Sequence, residues 1–100
     1  MPVTKVIRYR TKADRAEENE RLIREVFAQL AAEQPEGLHY AAFRFDDGVG
    51  FLHLAVIDGD QNPLTASASF ASFQDGIADR VAEGPMAADV TVVGSYRLLP

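Results

Sequence analysis

The chain contains no cysteine and no tryptophan, and its hydrophobic residues never form a long run. Without cysteine there can be no disulfide framework, thiol nucleophile, iron–sulfur cluster or cysteine-based zinc site, and the composition fits a reducing compartment. No stretch approaches the roughly 18 apolar residues of a membrane span. The opening residues Met1-Pro2-Val3-Thr4-Lys5-Val6-Ile7-Arg8 lack the apolar region of a signal peptide. The expectation is a soluble cytoplasmic protein with no membrane partner. Basic charge is scarce as well, with ten Lys and Arg against fifteen Asp and Glu and a net charge of −5. That balance argues against nucleic acid as a partner, because phosphate backbones are bound by basic faces.

What is present is an ordinary globular composition, 47% hydrophobic and 25% charged over 100 residues. This suits a single domain over residues 1–100, long enough to hold a core without metal or disulfide staples. Val3 to Arg10 alternates as a strand. Asp14 followed by Glu17 reads as a capping box opening a helix. The apolar stripe of that helix is Leu22, Ile23, Val26, Phe27, Leu30 and Ala31, and Pro35 and Gly37 stop it near Glu33 or Gln34. Leu38 to Phe45 and Val49 to Ile57 form a hairpin around Asp46-Asp47-Gly48. Ser67 caps a second helix running to Glu83, with a stripe of Phe70, Phe73, Ile77 and Val81 and a stop at Gly84-Pro85. Val90 to Leu99 is the last strand. The order βαββαβ predicts an α+β, ferredoxin-like fold, a four-stranded antiparallel sheet with two helices on one face. The later strands are apolar on both sides, so the open sheet face calls for a second chain as its cover.

The element order, the doubly apolar hairpin, the Phe70-x-x-Phe73-x-x-x-Ile77 stripe and the returning Val90-Thr91-Val92-Val93-Gly94-Ser95-Tyr96 segment resemble the dimeric α+β barrel superfamily. Within it the chain is most similar to the antibiotic-biosynthesis-monooxygenase-like domains. The resemblance spans almost the whole chain and is one of pattern. It implies a homodimer with facing sheets and a ligand pocket between sheet and helices. It also implies that any oxygenase chemistry proceeds without cofactor. The chain departs from the haem-degrading branch, since no histidine lies between Ser67 and Glu83.

His39 and His53 are the side chains whose ordinary pKa lies near neutrality, which makes them candidates for proton transfer. Whether they share a sheet face depends on hairpin register: a three-residue loop unites them and a two-residue loop ending at Gly48 separates them. His53, between Leu52 and Leu54, is the catalytic candidate, weighed against a buried hydrogen-bonded histidine with no reaction to perform. Tyr40, Tyr96, Arg44, Phe51 and Phe73 are the candidate pocket residues. Tyr9 is a further phenol and Arg8 a further cation for an oxyanion. The bland alternative for each is a ring buried for packing or a charge left in solvent. No metal is expected, because two histidines without a ligand motif are a weak signal. The calcium-like run Asp58-Gly59-Asp60-Gln61-Asn62 fails at Pro63 and Ser69. Two functions stay open: a homodimeric ligand-binding or structural protein without turnover, any pocket suited to a small apolar or aromatic ligand, and a cofactor-independent monooxygenase or isomerase acting on a small aromatic or polyketide-like substrate. A base in a closed apolar pocket would favour the second; a pocket filled by Phe27, Phe70 and Phe73 would favour the first.

Overall fold

The computed structural model describes residues 2–98. Four strands, β1 (Val3–Thr11), β2 (Leu38–Arg44), β3 (Gly50–Ile57) and β4 (Val81–Val90), make one antiparallel sheet in the order β2-β3-β1-β4. Three helices accompany it, α1 (Ala16–Glu33), α2 (Ala68–Gln74) and the single turn α3 (Ile77–Arg80). This is the expected ferredoxin-like arrangement, with the helical layer on one face. The core forms where Ile23 and Val26 of α1 and Phe73 of α2 meet Tyr9 of β1 and Phe51 of β3.

The first half follows its sequence closely. Apolar alternation gives β1, β2 and β3, and α1 ends where Gln34 adopts φ 48° and returns its amide to the Leu30 carbonyl. The hairpin turn uses Gly48 at φ 83°, and the Asp47 carboxylate accepts from the amides of Val49 and Gly50. The capping box is a correction. Ala13–Arg15 first make a 3-10 turn, so the Asp14 carboxyl does not stand at the start of α1, and neither helix start has a side-chain cap. Arg15 instead pairs with Glu18 at 2.9 Å along the helix.

The second half is phased differently from the sequence reading. Ser67 does cap α2, accepting from the Phe70 amide, but the helix does not continue to Glu83. It stops at Gln74 because Gly76 turns the backbone to φ 82°, and after one turn of α3 the chain enters β4 at Val81. Gly84-Pro85 therefore lies inside a strand. There the pairing steps from Arg8 with Met86 to Arg10 with Glu83, so that two residues stand opposite Tyr9. A bulge is where an edge strand tolerates proline, which has no amide to give the ladder. The expected strand Val90 to Leu99 is likewise corrected. β4 is already paired to Thr4 at Val90, so β1 has almost no partner left for the chain beyond Val90, and residues 91–98 run outside the sheet. Leu99 lies outside the described residues.

Phe73 is 4% exposed, with its ring beside those of Phe70 and His53. Truncation to alanine removes the α2 contribution to this core. Phe73→Ala is expected to lose about 3 to 5 kcal/mol of folding stability in urea titrations, and a variant as stable as the parent would show the ring to be dispensable.

Candidate functional site

Register settles the face of each histidine. Ala42 stands opposite His53, and His39 stands opposite Val56, so the two lie on opposite sides of the sheet. This is the separating register of the two considered from the sequence. His39 is exposed, 3.6 Å from Asp58. His53 points into the layer between sheet and helices with Tyr9, Tyr40 and Phe51, which the same register places on that face.

There a chain of polar side chains crosses an otherwise apolar core. The Tyr40 hydroxyl lies 2.5 Å from His53 Nδ1, and the Tyr9 hydroxyl lies 2.8 Å from His53 Nε2. Asn19 Nδ2 donates to the Tyr9 oxygen at 2.9 Å, and Arg80 Nε donates to Asn19 Oδ1 at 3.1 Å. The remaining Arg80 nitrogens donate to the carbonyls of Phe73 and Asp75, at the C-terminal end of α2. Arg80 is 1% exposed and Asn19 is wholly buried. The negative end of a helix dipole and the Phe73 ring, 5.3 Å from the guanidinium carbon, take the place of a carboxylate partner. Among the described residues, no buried side-chain nitrogen or oxygen lacks a partner.

Burial sets the protonation of this chain. It pulls the His53 pKa down to about 4, so the imidazole is neutral at pH 7. It pushes Tyr9 up to about 12, opposed by the hydrogen bond from Asn19, and also raises Tyr40. Burial lowers the Arg80 pKa, yet a guanidinium remains charged in proteins.

Beside the chain, a groove of about 770 Å³ runs between α1 and β2. Ile23, Phe27 and Ala28 form one wall, Tyr40 to Arg44 the other, and Phe51 lies beneath. A smaller recess of about 340 Å³ continues past Leu30 and Leu38, and Phe27 and Tyr40 line both spaces. Their rings stack 4.9 Å apart and 11° from parallel. Of the five residues in the polar chain, only Tyr40 lines the groove.

The candidates from the sequence are therefore divided. Tyr40, Arg44 and Phe51 come together around the groove. Arg44 is already engaged, donating to Glu20 at 3.1 Å and lying 3.0 Å from Glu17, which lowers the Glu20 pKa. His53 and Phe73 sit behind the groove in the core. Tyr96 belongs to the segment after β4, 80% exposed and against Arg97, so its placement on a sheet strand is corrected. Arg8 lies on the open face over the Phe45 ring. Asn19 and Arg80 were not singled out by sequence. Asn19 had a signal, since it falls in line with Ala16, Ile23 and Val26, the other buried positions of α1. Arg80 had none while its segment read as a continuous helix. Among the described residues, no cluster of three His, Asp or Glu side chains is placed to hold a metal ion, and no helix is long and apolar enough to cross a membrane.

No protein-family model matches the sequence, and no curated protein matches it. Solved structures share its fold. A candidate antibiotic biosynthesis monooxygenase from Nitrosomonas europaea superposes with a TM-score of 0.75 at 16% identity, over 92% of this chain and 90% of that one. A protein of unknown function from the same organism gives 0.73 at 14%, over 99% and 94%. A mutant form of the cofactor-independent oxygenase SnoaB from Streptomyces nogalater gives 0.69 at 16%, over 96% and 97%. The fold is thus that of the antibiotic biosynthesis monooxygenase domain proteins, as the sequence resemblance implied.

The neutral His53 makes stability depend on pH. An unfolded imidazole takes its proton near 6.5 and the folded one only near 4, so the unfolded state binds more protons between these values. The contribution of His53 is full above about pH 6.5 and falls as the pH drops toward 4, by roughly 3 kcal/mol in all. Urea titrations between pH 7 and 5 should show this slope in the parent and lose it in His53→Gln. That window lies above the range where the paired carboxylates of Glu18, Glu20 and Asp47, all held below their ordinary values, begin to protonate.

Proposed function

We propose that the protein is a homodimer paired through its open sheet faces, and that each subunit takes a small flat aromatic ligand into the groove between α1 and β2. The observation that carries the ligand reading is the Phe27–Tyr40 stack lining a 770 Å³ groove, with one phenol backed by a buried polar chain. Binding sites of this kind pair an apolar, aromatic lining with few fixed polar groups. The phenylalanines do not fill the space: Phe27 forms its wall, while Phe73 lies in the core and Phe70 packs against it.

The dimer reading rests on the opposite face. Val6, Leu52, Leu54, Val56, Ala41 and Phe43 share it by register, and Met86 and Val90 extend it across β4. Met86 is 76% exposed and Phe43 45%. Apolar patches of this extent on a sheet mark an interface, and a stable one buries about 1,200 to 2,000 Å² in total. Light scattering at micromolar concentration should give twice the 11.0 kDa chain mass, and Leu54→Glu, which puts a charge among these side chains, should give monomers. A monomeric parent would remove the dimer.

A second reading, a cofactor-independent monooxygenase or isomerase with His53 as its base, is supported by the likeness to the Streptomyces oxygenase. Against it stands an imidazole with its pKa drawn down to about 4 and both nitrogens already engaged. A general base works best with a pKa near the operating pH. Calorimetric titration with 4-nitrophenol separates the readings. Binding by the parent and loss of it in Ala42→Trp, which fills the groove, is the expected result; equal binding by both would place the ligand elsewhere. Oxygen uptake by the complex that disappears in His53→Gln would transfer the weight to the second reading.

A further inference from the structure

The polar chain contains one group whose hydrogen-bonding role has no alternative. Arg80 can only donate, so the Asn19 atom facing its Nε must be the amide oxygen. The Asn19 NH2 is then directed at the Tyr9 oxygen. Tyr9 has a single proton, its oxygen already accepts from Asn19, and the other partner of its hydroxyl is His53 Nε2. Satisfying every group therefore requires Tyr9 to donate to His53 Nε2. A neutral imidazole has one N–H, which leaves it on Nδ1, where it donates to the Tyr40 oxygen. The hydroxyl proton of Tyr40 is then uncommitted within the chain, on the one member that lines the groove.

We propose that Asn19, oriented by the buried charge of Arg80, is the positioning residue that sets the direction of this chain, holding His53 as its Nδ1–H tautomer and making Tyr40 a hydrogen-bond donor to the ligand. The ligand it selects is one that presents an acceptor oxygen, a phenolate, enolate or carbonyl, to Tyr40. Each link donates away from the guanidinium, and hydrogen bonds aligned in one direction polarise one another, which strengthens the terminal donor. The selection of ligand rests on the groove reading above; the direction of the chain does not.

The reverse direction is open to the same side chains, and one isosteric change should select it. In Asn19→Asp both oxygens accept. One retains the Arg80 bond, and the other now takes the Tyr9 proton. His53 Nε2 must then carry a hydrogen for the Tyr9 oxygen, and the Tyr40 proton turns inward to Nδ1. The decisive measurement is ¹⁵N NMR of the ligand-free protein labelled at histidine, read at the His53 nitrogens at neutral pH. The parent should show a bare, pyridine-type Nε2 and a protonated Nδ1; Asn19→Asp should show a protonated Nε2. A protonated Nε2 or a mixture of tautomers in the parent would overturn the inference, as would a bare Nε2 in a folded Asn19→Asp. If that variant does not fold, the parent spectrum still decides. A merely structural Asn19 would alter stability without exchanging the two nitrogen signals. With 4-nitrophenol above its ionisation, where it is the phenolate, Asn19→Asp should bind at least tenfold more weakly than the parent. A parent that binds no phenolate would defeat the groove reading, while the NMR result would continue to decide the direction of the chain.

Discussion

Burying the Arg80 guanidinium is the constraint on which much else depends. A full charge taken out of water is costly unless every donor is met, and among the described residues no carboxylate lies within ion-pair distance of it. The carbonyls of Phe73 and Asp75, the amide oxygen of Asn19 and the face of Phe73 meet it instead. These contacts tie three pieces of chain to one point: the first turns of α1, the end of α2 and the entry to β4. The Arg80 carbonyl also receives the Lys12 amide, so the same residue joins the approach to α1 to the start of β4. Replacing the guanidinium with an apolar group would leave two helix-end carbonyls and one amide without partners, a cost beyond the lost packing.

The legibility of the sequence differs between its halves for a physical reason. In β1, α1, β2 and β3 the period of the apolar residues agrees with the turn signals around them, and local preference and tertiary structure coincide. Between Ser67 and Leu99 they compete. Phe70, Phe73, Ile77 and Val81 have helical spacing, and Gly84-Pro85 is a strong stop, so a helix to Glu83 satisfies every local rule. Gly76 breaks it well before that stop, through a positive φ whose only sequence sign is the glycine itself. What fixes β4 at Val81–Val90 is the length of β1 beside it. The Val90 to Leu99 alternation, though strand-like, finds that edge already taken.

The candidate site was legible in its aromatic part and less so in its polar part. His53, Tyr40, Arg44 and Phe51 stand out as polar or aromatic residues within strands, and one hairpin register brings them near one another. Asn19 and Arg80 are ordinary surface residues by type, and their burial depends on contacts 61 residues apart in sequence. Tyr96 shows the opposite error, an aromatic residue in a strand-like pattern that the fold leaves outside the sheet.

The bulge at Gly84-Pro85 has a consequence for how copies of this chain can meet. β4 forms one rim of the sheet and presents backbone groups on its outer side, a surface that invites another strand to add to it. The two shifts of register between Arg8 and Thr11 interrupt the regular spacing of these groups around Gly84-Pro85. A regular ladder cannot continue past that point. Growth by strand addition, the route to open-ended fibres, is thereby disfavoured along β4, whereas the face-to-face pairing proposed above is a contact that closes after two chains.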